Sequence, residues 1–402
     1  MRTTLPTTGT LNRGAAFVLF IAALAAFVIQ SSFTQYVQSD LGFRQPFFLL
    51  YFVHTSFILL FPLHMLYLKI FTKTPLHTYI SSLHEAIRAR LTYPGDLDTD
   101  PFPTRRLLFL IAAFTAGINI PGLLWYIAVS LASISDVTAL WNTNSFWVYV
   151  LCVWIYRMKL EPRKLGAVLF ASAGVLLVVY GGTRTTAPDP DDAKGLESII
   201  QGPPWPIVGD LLTFIASISY ALLQVMYKHY IALADDPEAA AVPTGPTEDF
   251  PYRSLAGDEE STPSIRAGLL DHGVKADPPP FGLYPNLFTS CLGLSTALTF
   301  VWAFPVLHWT SIETFRLPPD AHTFWCIVGI AAGGLVFNAS FLILLGVWGP
   351  ILTSIGSLLT IVLVLITDIL FSHSGVTLWG ILGAGMIVSA FGVLAFDMMP
   401  TK

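Results

Sequence analysis

Residues 322–372 read HTFWCIVGIAAGGLVFNASFLILLGVWGPILTSIGSLLTIVLVLITDILFS, and this stretch decides the fold class. It contains one carboxylate, Asp368, and no Lys or Arg, so lipid can accommodate it. A bilayer core about 30 Å thick needs roughly 20 apolar residues at the α-helical rise. Trp348-Gly349-Pro350 divides the stretch into two runs of about that length, because Gly and Pro end helices. The sequence predicts two membrane-spanning helices joined by a tight hairpin.

The rest of the chain repeats this pattern. Of its 402 residues, 54% are hydrophobic and only 12% are charged, against roughly 25% charged in an average soluble domain. Ten stretches are apolar enough to span a bilayer: 14–34, 47–68, 107–131, 136–156, 163–182, 206–228, 283–306, 322–346, 350–372 and 376–396. We therefore predict an all-α membrane protein with ten transmembrane helices.

Basic residues predict the orientation, since Lys and Arg of short loops are retained on the cytosolic side. With the N-terminus inside, the 21 Lys and Arg residues all fall on cytosolic segments except Arg44, Arg184, Lys194 and Arg316. We therefore expect both tails, 1–13 and 397–402, to be cytosolic. The net charge of -5 does not suggest a nucleic-acid partner.

Three connecting segments differ from the short loops. Residues 183–205 form a non-cytosolic loop, and the Pro-, Ser- and acid-rich segment 232–280 is expected to be a disordered cytosolic linker. Within it, Tyr252-Arg253-Ser254-Leu255 fits an endosomal sorting pattern, although a chance match is favoured. Near Thr78 to Leu91, apolar side chains at Ile80, Leu83, Ile87 and Leu91 predict a helix lying on the inner membrane surface.

The two groups of five helices show an internal repeat. Phe20-Ile21-Ala22 is followed by Gln30 and Tyr36, and Phe214-Ile215-Ala216 is followed by Gln224 and Tyr230 at identical spacing. Helices five and ten share Leu-Gly-Ala, at Leu165 and at Leu382, with Gly-Val further on. Because five is odd, the repeats 14–182 and 206–396 must be inverted relative to each other. Inverted repeats are typical of secondary carriers that work by alternating access.

These features resemble a known superfamily. Two inverted five-helix halves, Arg44-Gln45-Pro46-Phe47-Phe48 entering helix two, Ser133 to Trp147 entering helix four and the Leu-Gly-Ala pattern look like the drug/metabolite transporter (EamA-like) superfamily. The likeness is strongest to subfamily F of solute carrier family 35 and its fungal vacuolar-membrane relatives. The resemblance implies a transporter of the vacuolar or Golgi membrane. Such relatives tend to have small hydroxyl residues where this chain has Trp141 and Asn142.

Polar residues within spans are the default functional candidates, because each is costly in lipid without a partner or a wet cavity. Trp141, Asn142, Thr143 and Asn144 combine an indole face with hydrogen-bonding groups, which suits a small organic substrate. Tyr220, Asn338 and Ser357 are further substrate-binding candidates. Hydrogen bonding between helices is the alternative role for all of them.

Acidic and amide side chains within the spans suggest coupling and gating. Asp368, Asp210 and Asp136 could exchange a proton if burial raises their pKa values, although Asp136 could instead cap its helix. The resemblance places an acid at the position of Asp368. Gln30 and Gln224 are repeat-related candidate gate residues, with simple helix contacts as the alternative.

Several classes of function are disfavoured by the sequence. Cys152, Cys291 and Cys326 lie in apolar stretches, and His54 with His64 alone makes a poor metal site, so we expect no metal and no cofactor. No phosphate-cradling Gly-rich loop is present, which excludes an ATP-driven pump within this chain. No Lys or Arg lies deep in a span, which disfavours phosphorylated substrates such as nucleotide sugars.

The remaining hypotheses differ in class. A secondary carrier is favoured over an intramembrane enzyme, for which no nucleophile and base occur at a workable spacing. A non-transporting scaffold or receptor stays open. The expected partners are a small-molecule substrate and the lipid bilayer, and a homodimer is left open.

Overall fold

The computed structural model describes residues 13–91, 102–132, 134–158, 160–182, 205–232, 279–371 and 377–397, and all regular structure in these ranges is helical. A π-helical turn (Tyr36–Asp40) follows the first helix, and a 3-10 turn (Phe57–Leu59) separates α2 from α3. The helices are α1 (Arg13–Gln35), α2 (Pro46–Ser56), α3 (Leu60–Phe71), α4 (Leu76–Leu91), α5 (Thr104–Leu131), α6 (Ile134–Asn142), α7 (Asn144–Ile155), α8 (Pro162–Gly182), α9 (Pro206–Tyr230), α10 (Leu283–Phe300), α11 (Ala303–Trp309), α12 (Ala321–Ser357), α13 (Leu359–Phe371) and α14 (Leu378–Asp397).

Within these ranges, seven helical runs are long and apolar enough to cross a membrane, with α2, the 3-10 turn and α3 counted as one run (Pro46–Phe71). α10 with α11, bent by 41°, would make an eighth span. The chain is therefore built as a multi-pass helical membrane protein. The ten separate spans predicted from sequence are not all continuous helices of that length. Predicted span 136–156 is divided between α6 and α7 at Thr143, and predicted span 350–372 is divided between the end of α12 and α13.

The predicted hairpin at Trp348-Gly349-Pro350 is a backbone break inside α12. Gly349 has φ 77° and ψ 168°, a conformation that glycine adopts without steric strain. Pro350 follows at the first position of the next helical segment, where its missing N–H is not needed. α12 thus consists of two helical segments that meet at Gly349.

Proline also breaks the second span. Pro62 has no N–H, so the carbonyl of Ile58 loses its partner within the helix. Ser290 on α10 supplies one, since its Oγ lies 3.2 Å from the oxygen of Ile58 and 3.0 Å from that of Phe57. The N–H of Phe61 donates to the same Oγ at 2.8 Å. Gly293 permits this approach, because a Cβ there would lie 2.7 Å from the nitrogen of Ile58.

The α10–α11 bend has the same sequence signature as this break. Phe57-x-x-x-Phe61-Pro62 spans the 3-10 turn, and Phe300-x-x-x-Phe304-Pro305 spans the bend between α10 and α11. Pro305 occupies the third position of α11, where its missing N–H would in any case have no partner in that short helix. The two interrupted spans therefore share a Phe-x-x-x-Phe-Pro motif. This motif was not part of the internal repeat described above for the first and last helices of the two halves.

Helix pairs pack most closely where glycines meet backbone. The most extensive pairings are α8 with α14, α1 with α12 and α5 with α9. A Cβ at Gly174 of α8 would lie 2.7 Å from the oxygen of Gly383 on α14. In the α1–α12 pair, a Cβ at Gly333 would lie 2.9 Å from the oxygen of Ala26. Lipid provides no hydrophobic driving force for helix association, so van der Waals contact at this short range stabilises the helix pairs.

The helix predicted near Thr78 to Leu91 is present as α4, with one correction to its predicted apolar face. Leu83, Ile87 and Leu91 are buried as expected, but Ile80 is 56% exposed and Tyr79 is buried in its place. Tyr79 lies four residues before Leu83, the spacing of one helix face, whereas Ile80 lies about 100° further around the helix. Predictions for residues 1–12, 183–204, 233–278, including the Tyr252–Leu255 pattern, and 398–402 lie outside the described residues.

Candidate functional site

A small cavity of about 20 Å³, partly open to the surroundings, lies within the bundle. Helices α1, α6, α7, α9, α12 and α13 all contribute to its wall. The lining residues are Phe27, Trp141, Asn142, Asn144, Ser145, Tyr220, Phe337, Phe341, Ser357 and Thr360. Five of them were candidate substrate-binding residues in the sequence: Trp141, Asn142, Asn144, Tyr220 and Ser357.

Aromatic rings form a continuous side of this wall. Trp141 stacks on Tyr220 with ring centroids 5.2 Å apart, and Tyr220 stacks on Phe341 at 6.1 Å. Phe341 contacts Phe337 at 5.2 Å, and Phe337 contacts Phe27 at 5.1 Å. Such rings offer apolar faces with a partial negative charge. The series runs from α6 through α9 and α12 to α1, so residues from both halves of the chain build it.

Hydroxyl groups in the wall donate their hydrogens to the protein itself. Ser145 Oγ donates to the carbonyl of Ser354 at 2.8 Å, and Ser357 Oγ donates to the same carbonyl at 2.6 Å. Thr360 Oγ1 donates to the carbonyl of Ser357 at 2.7 Å. Each hydroxyl has one hydrogen. Toward the cavity these three oxygens can therefore act only as acceptors.

Asn144 joins α7 to α9. Its Nδ2 donates to the carbonyl of Ser217 at 2.9 Å, and its Oδ1 accepts from Gln224 Nε2 at 2.8 Å. Thr143 Oγ1 lies 2.9 Å from Ser217 Oγ, next to this contact. Gln224 is buried, and its Oε1 has no hydrogen-bond partner among the described residues. The arrangement provides the interhelical bonding that was the alternative role for Thr143 and Asn144.

The second candidate gate residue, Gln30, lies at a different crossing. Its Nε2 donates to Tyr126 Oη on α5 at 3.4 Å. A Cβ at Gly333 on α12 would lie 3.2 Å from Gln30 Cβ, so Gln30 sits where α1 crosses α12. Gln30 and Gln224 thus each connect a first helix of one predicted repeat to another helix.

Two candidates do not reach the cavity wall. Thr143 is not among the lining residues, and Asn338 donates from Nδ2 to the carbonyl of Gly334 in its own helix at 2.8 Å. Phe27, Phe337, Phe341 and Ser145 are lining residues that the sequence reasoning missed, whereas Thr360 was one of the polar span residues but was not chosen as a substrate contact. Phenylalanine in an apolar helix carries no signal of which side chains face a cavity rather than lipid.

The three acidic candidates lie on different helices. Asp136, in the first turn of α6, accepts a hydrogen bond from Tyr180 Oη at 2.7 Å. Asp210 is on α9, and one of its carboxylate oxygens is buried without a hydrogen-bond partner among the described residues. Neither of these two lines the cavity. Asp368 is on α13, and its side chain lies outside the described part of the chain.

The two histidines of the second span have separate amide partners. His54 Nδ1 lies 2.9 Å from Asn119 Oδ1, and Asn119 Nδ2 donates to Thr296 Oγ1 at 2.8 Å. His64 Nδ1 lies 2.9 Å from Asn286 Nδ2. The described residues contain no group of three or more His, Cys, Asp or Glu that could hold a metal ion.

Comparison with known proteins gives one distant relative and a shared fold. No family model matches the sequence. The chain is 22% identical over 396 residues to an uncharacterized transporter from Schizosaccharomyces pombe (strain 972 / ATCC 24843), a match that covers 96% of this chain and 95% of the relative. A solved crystal structure aligns with a TM-score of 0.55 at 11% identity, covering 96% of this chain and 98% of that one. At that identity the likeness shows the fold alone.

Proposed function

We propose that this chain is a secondary transporter that moves a small organic solute across an internal membrane by alternating access. The observation that carries the proposal is the cavity, whose uncharged polar and aromatic wall is drawn from helices of both halves of an apolar bundle. Polar groups gathered inside a membrane bundle mark a solute pathway more often than a packing defect. The similarity to an uncharacterized transporter over almost the whole of both chains supports the same class.

The proposed architecture is ten spans in two inverted repeats, as in the drug/metabolite transporters. Helix packing supports this architecture. When each helix is replaced by its counterpart in the other half, the list of helix–helix contacts is unchanged. α1 packs on α12 as α9 packs on α5, and α2 packs on α12 as α10 packs on α5. α8 packs on α14, its own counterpart. The shared Phe-x-x-x-Phe-Pro motif of the two broken helices supports the same pairing.

Alternating access then requires closures on either side of the cavity. We assign them to the contacts of the two repeat-related glutamines: Gln30 with Tyr126 toward the non-cytosolic side, and Gln224 with Asn144 toward the cytosol. A neutral hydrogen bond contributes about 1 kcal/mol. A closure of that strength can open and reform during transport.

The remaining assignments follow the sequence reasoning. Asp368, Asp210 and Asp136 are the candidates for proton coupling. A vacuolar or Golgi membrane, cytosolic termini and the absence of enzymatic activity belong to the same proposal. A scaffold or receptor is the competing function, and it would not require a solute to pass.

The test is uptake of a mixed metabolite pool by the purified chain in liposomes, with and without a pH gradient. We expect accumulation of a small set of solutes by the wild type and loss of at least tenfold in rate for Trp141→Ala. Trp154→Ala is the matched control, because Trp154 is 74% exposed on the outer face of α7. Accumulation that depends on the gradient and is lost in Asp368→Asn would support proton coupling.

Two results would contradict the proposed function. If no solute accumulates under either condition while the protein stays folded, the transporter proposal is wrong and the scaffold or receptor function is favoured. If Trp141→Ala and Trp154→Ala transport equally well, the cavity is not the pathway.

A further inference from the structure

From the chemistry of the cavity wall, we infer that the transported solute is an uncharged, planar nitrogen heterocycle that carries N–H donors. The inference rests on the proposed function and names its substrate class. It combines three independent properties of the lining residues: their charge, their aromatic rings and the hydrogen-bonding groups that they leave free.

The first property is the absence of charge. None of the ten lining residues is acidic or basic, and Asp136 and Asp210 lie away from the wall. A charged solute that leaves water must regain its lost hydration from charged or strongly polar partners. The described part of the wall offers no residue that could neutralise a phosphate, a carboxylate or an ammonium group. An uncharged solute is therefore favoured.

The second property is the aromatic character of half of the lining residues. Trp141, Tyr220, Phe341, Phe337 and Phe27 form one connected series with neighbouring centroids 5.1 to 6.1 Å apart. Ring faces stack well on other planar rings. A puckered sugar ring would cover less of this surface. The aromatic side therefore favours a planar solute.

The third property is a set of hydrogen-bond acceptors that the helices leave free. Ser145, Ser357 and Thr360 each donate their one hydroxyl hydrogen to a backbone carbonyl, so they present only lone pairs. Asn142 Nδ2 donates one hydrogen to the carbonyl of Thr138 at 2.7 Å, which leaves Oδ1 as an acceptor and the second Nδ2 hydrogen as a donor. Trp141 Nε1–H, Tyr220 O–H and the second Nδ2 hydrogen of Asn142 add donors to the wall, so acceptors on the same solute can also be paired. Ring and exocyclic N–H groups match this wall.

Binding of four probes to the purified full-length chain tests each property separately. The probes are adenine, its fully N-methylated form, adenosine monophosphate and glucose. The first is uncharged, planar and rich in N–H groups. The methylated form lacks the N–H groups, adenosine monophosphate is charged, and glucose is neither planar nor a carrier of N–H groups. Binding is measured as a saturable rise in the unfolding temperature and as quenching of tryptophan fluorescence.

We expect adenine to bind, and the fully methylated form to bind about tenfold more weakly, the effect of losing one or two hydrogen bonds. Adenosine monophosphate and glucose should bind more weakly still. Asn142→Leu, which removes the acceptor and keeps the volume, should reduce the difference between adenine and its methylated form. Trp154→Ala should bind like the wild type.

Three results would overturn the inference: no binding of adenine, equal binding of adenine and its methylated form, or tighter binding of adenosine monophosphate or glucose. The proposed function is judged separately by uptake of the metabolite pool. Uptake of some other solute without adenine binding would disprove the substrate class and leave the transporter standing. Binding of adenine without uptake of any solute would disprove the transporter and leave the binding chemistry of the cavity standing.

Discussion

At the residue scale, backbone contact between α8 and α14 depends on two glycines. Gly174 and Gly383 face each other, and each carbonyl occupies the place that a Cβ on the other residue would need. Gly385 lies two residues further along α14, and a Cβ there would meet nothing within 4 Å. Alanine at Gly383 and alanine at Gly385 therefore distinguish the effect of helix packing from that of helix propensity.

We expect Gly383→Ala to destabilise the protein by about 1–3 kcal/mol, because the helices must move apart to admit the methyl group. Gly385→Ala should be neutral or slightly stabilising, since alanine is the better helix former. Thermal unfolding in detergent, followed by the reactivity of the buried Cys152, measures both. Equal unfolding temperatures for the two variants would show that the helices are not in backbone contact.

The same scale shows what a sequence can and cannot reveal about a site. Trp141, Asn142 and Tyr220 could be identified because polar or amphipathic side chains are unusual inside apolar runs. Phe27, Phe337 and Phe341 could not, because phenylalanine is equally at home against lipid, protein or solute. Asn144 was identified as a substrate contact, but both ends of its amide are bonded to α9. Only the three-dimensional arrangement separates these cases.

At the element scale, Ser290 repairs the break at Pro62. Ser290→Ala would leave the carbonyl of Ile58 and the N–H of Phe61 without this partner in a buried place. We expect a loss of about 1–3 kcal/mol of stability, the usual cost of unpaired buried groups. Ser389→Ala is the matched control, because Ser389 is exposed and its Oγ bonds only to its own helix. A Ser290→Ala variant as stable as the control would refute the role of this hydroxyl.

The loop between α11 and α12 is attached to the start of α2 through a carboxylate. Glu313 accepts hydrogen bonds from the backbone N–H groups of Phe47 at 2.9 Å and Phe48 at 3.0 Å. Burial raises the pKa of Glu313 above its ordinary value of 4.5, and the two N–H groups lower it by less. The folded protein therefore holds this proton more tightly than the unfolded chain does.

The sign of the pH dependence follows from that difference. As pH rises from 4.5 through the folded pKa, the wild type should lose stability relative to Glu313→Gln, which cannot ionise. Unfolding temperatures of both proteins across this range measure the effect. Asp320→Asn is a control of opposite sign, because the N–H of Thr323 lowers the pKa of Asp320, and its contribution is lost as pH falls below 3.8. A constant difference between wild type and Glu313→Gln would contradict the prediction.

At the scale of the whole molecule, the predicted topology places α4 and the α11–α12 loop on opposite sides of the membrane. His77 on α4 and Ile312 in the loop are both exposed. In a background without Cys152, Cys291 and Cys326, His77→Cys in cytosol-side-out vesicles should react with an impermeant maleimide. Ile312→Cys should react only after detergent is added. Labelling of both cysteines in intact vesicles would overturn the predicted orientation.

The overall fold was more predictable than its details, for a physical reason. The preference of a span for lipid is summed over about 20 residues, so α1, α5, α8 and α9 stand out clearly in the sequence. An interruption of a helix depends on one or two residues, so it barely changes a hydropathy that is summed over the whole span. Pro62 and Pro305 each lie inside a predicted span, and neither was recognised as an interruption. The long α12 was predicted as two spans because Gly349 and Pro350 adjoin.

The contact between Ser290 and the second span also bears on how the chain is assembled. Phe57 precedes Ser290 by 233 residues, so the ribosome releases the broken helix into the membrane long before its partner exists. Until then the carbonyl of Ile58 and the N–H of Phe61 lack this partner in lipid, where no water can satisfy them. The first five predicted helices are therefore not a self-sufficient unit. Expressed alone they should be degraded, and co-expression of the second half on a separate chain should rescue them.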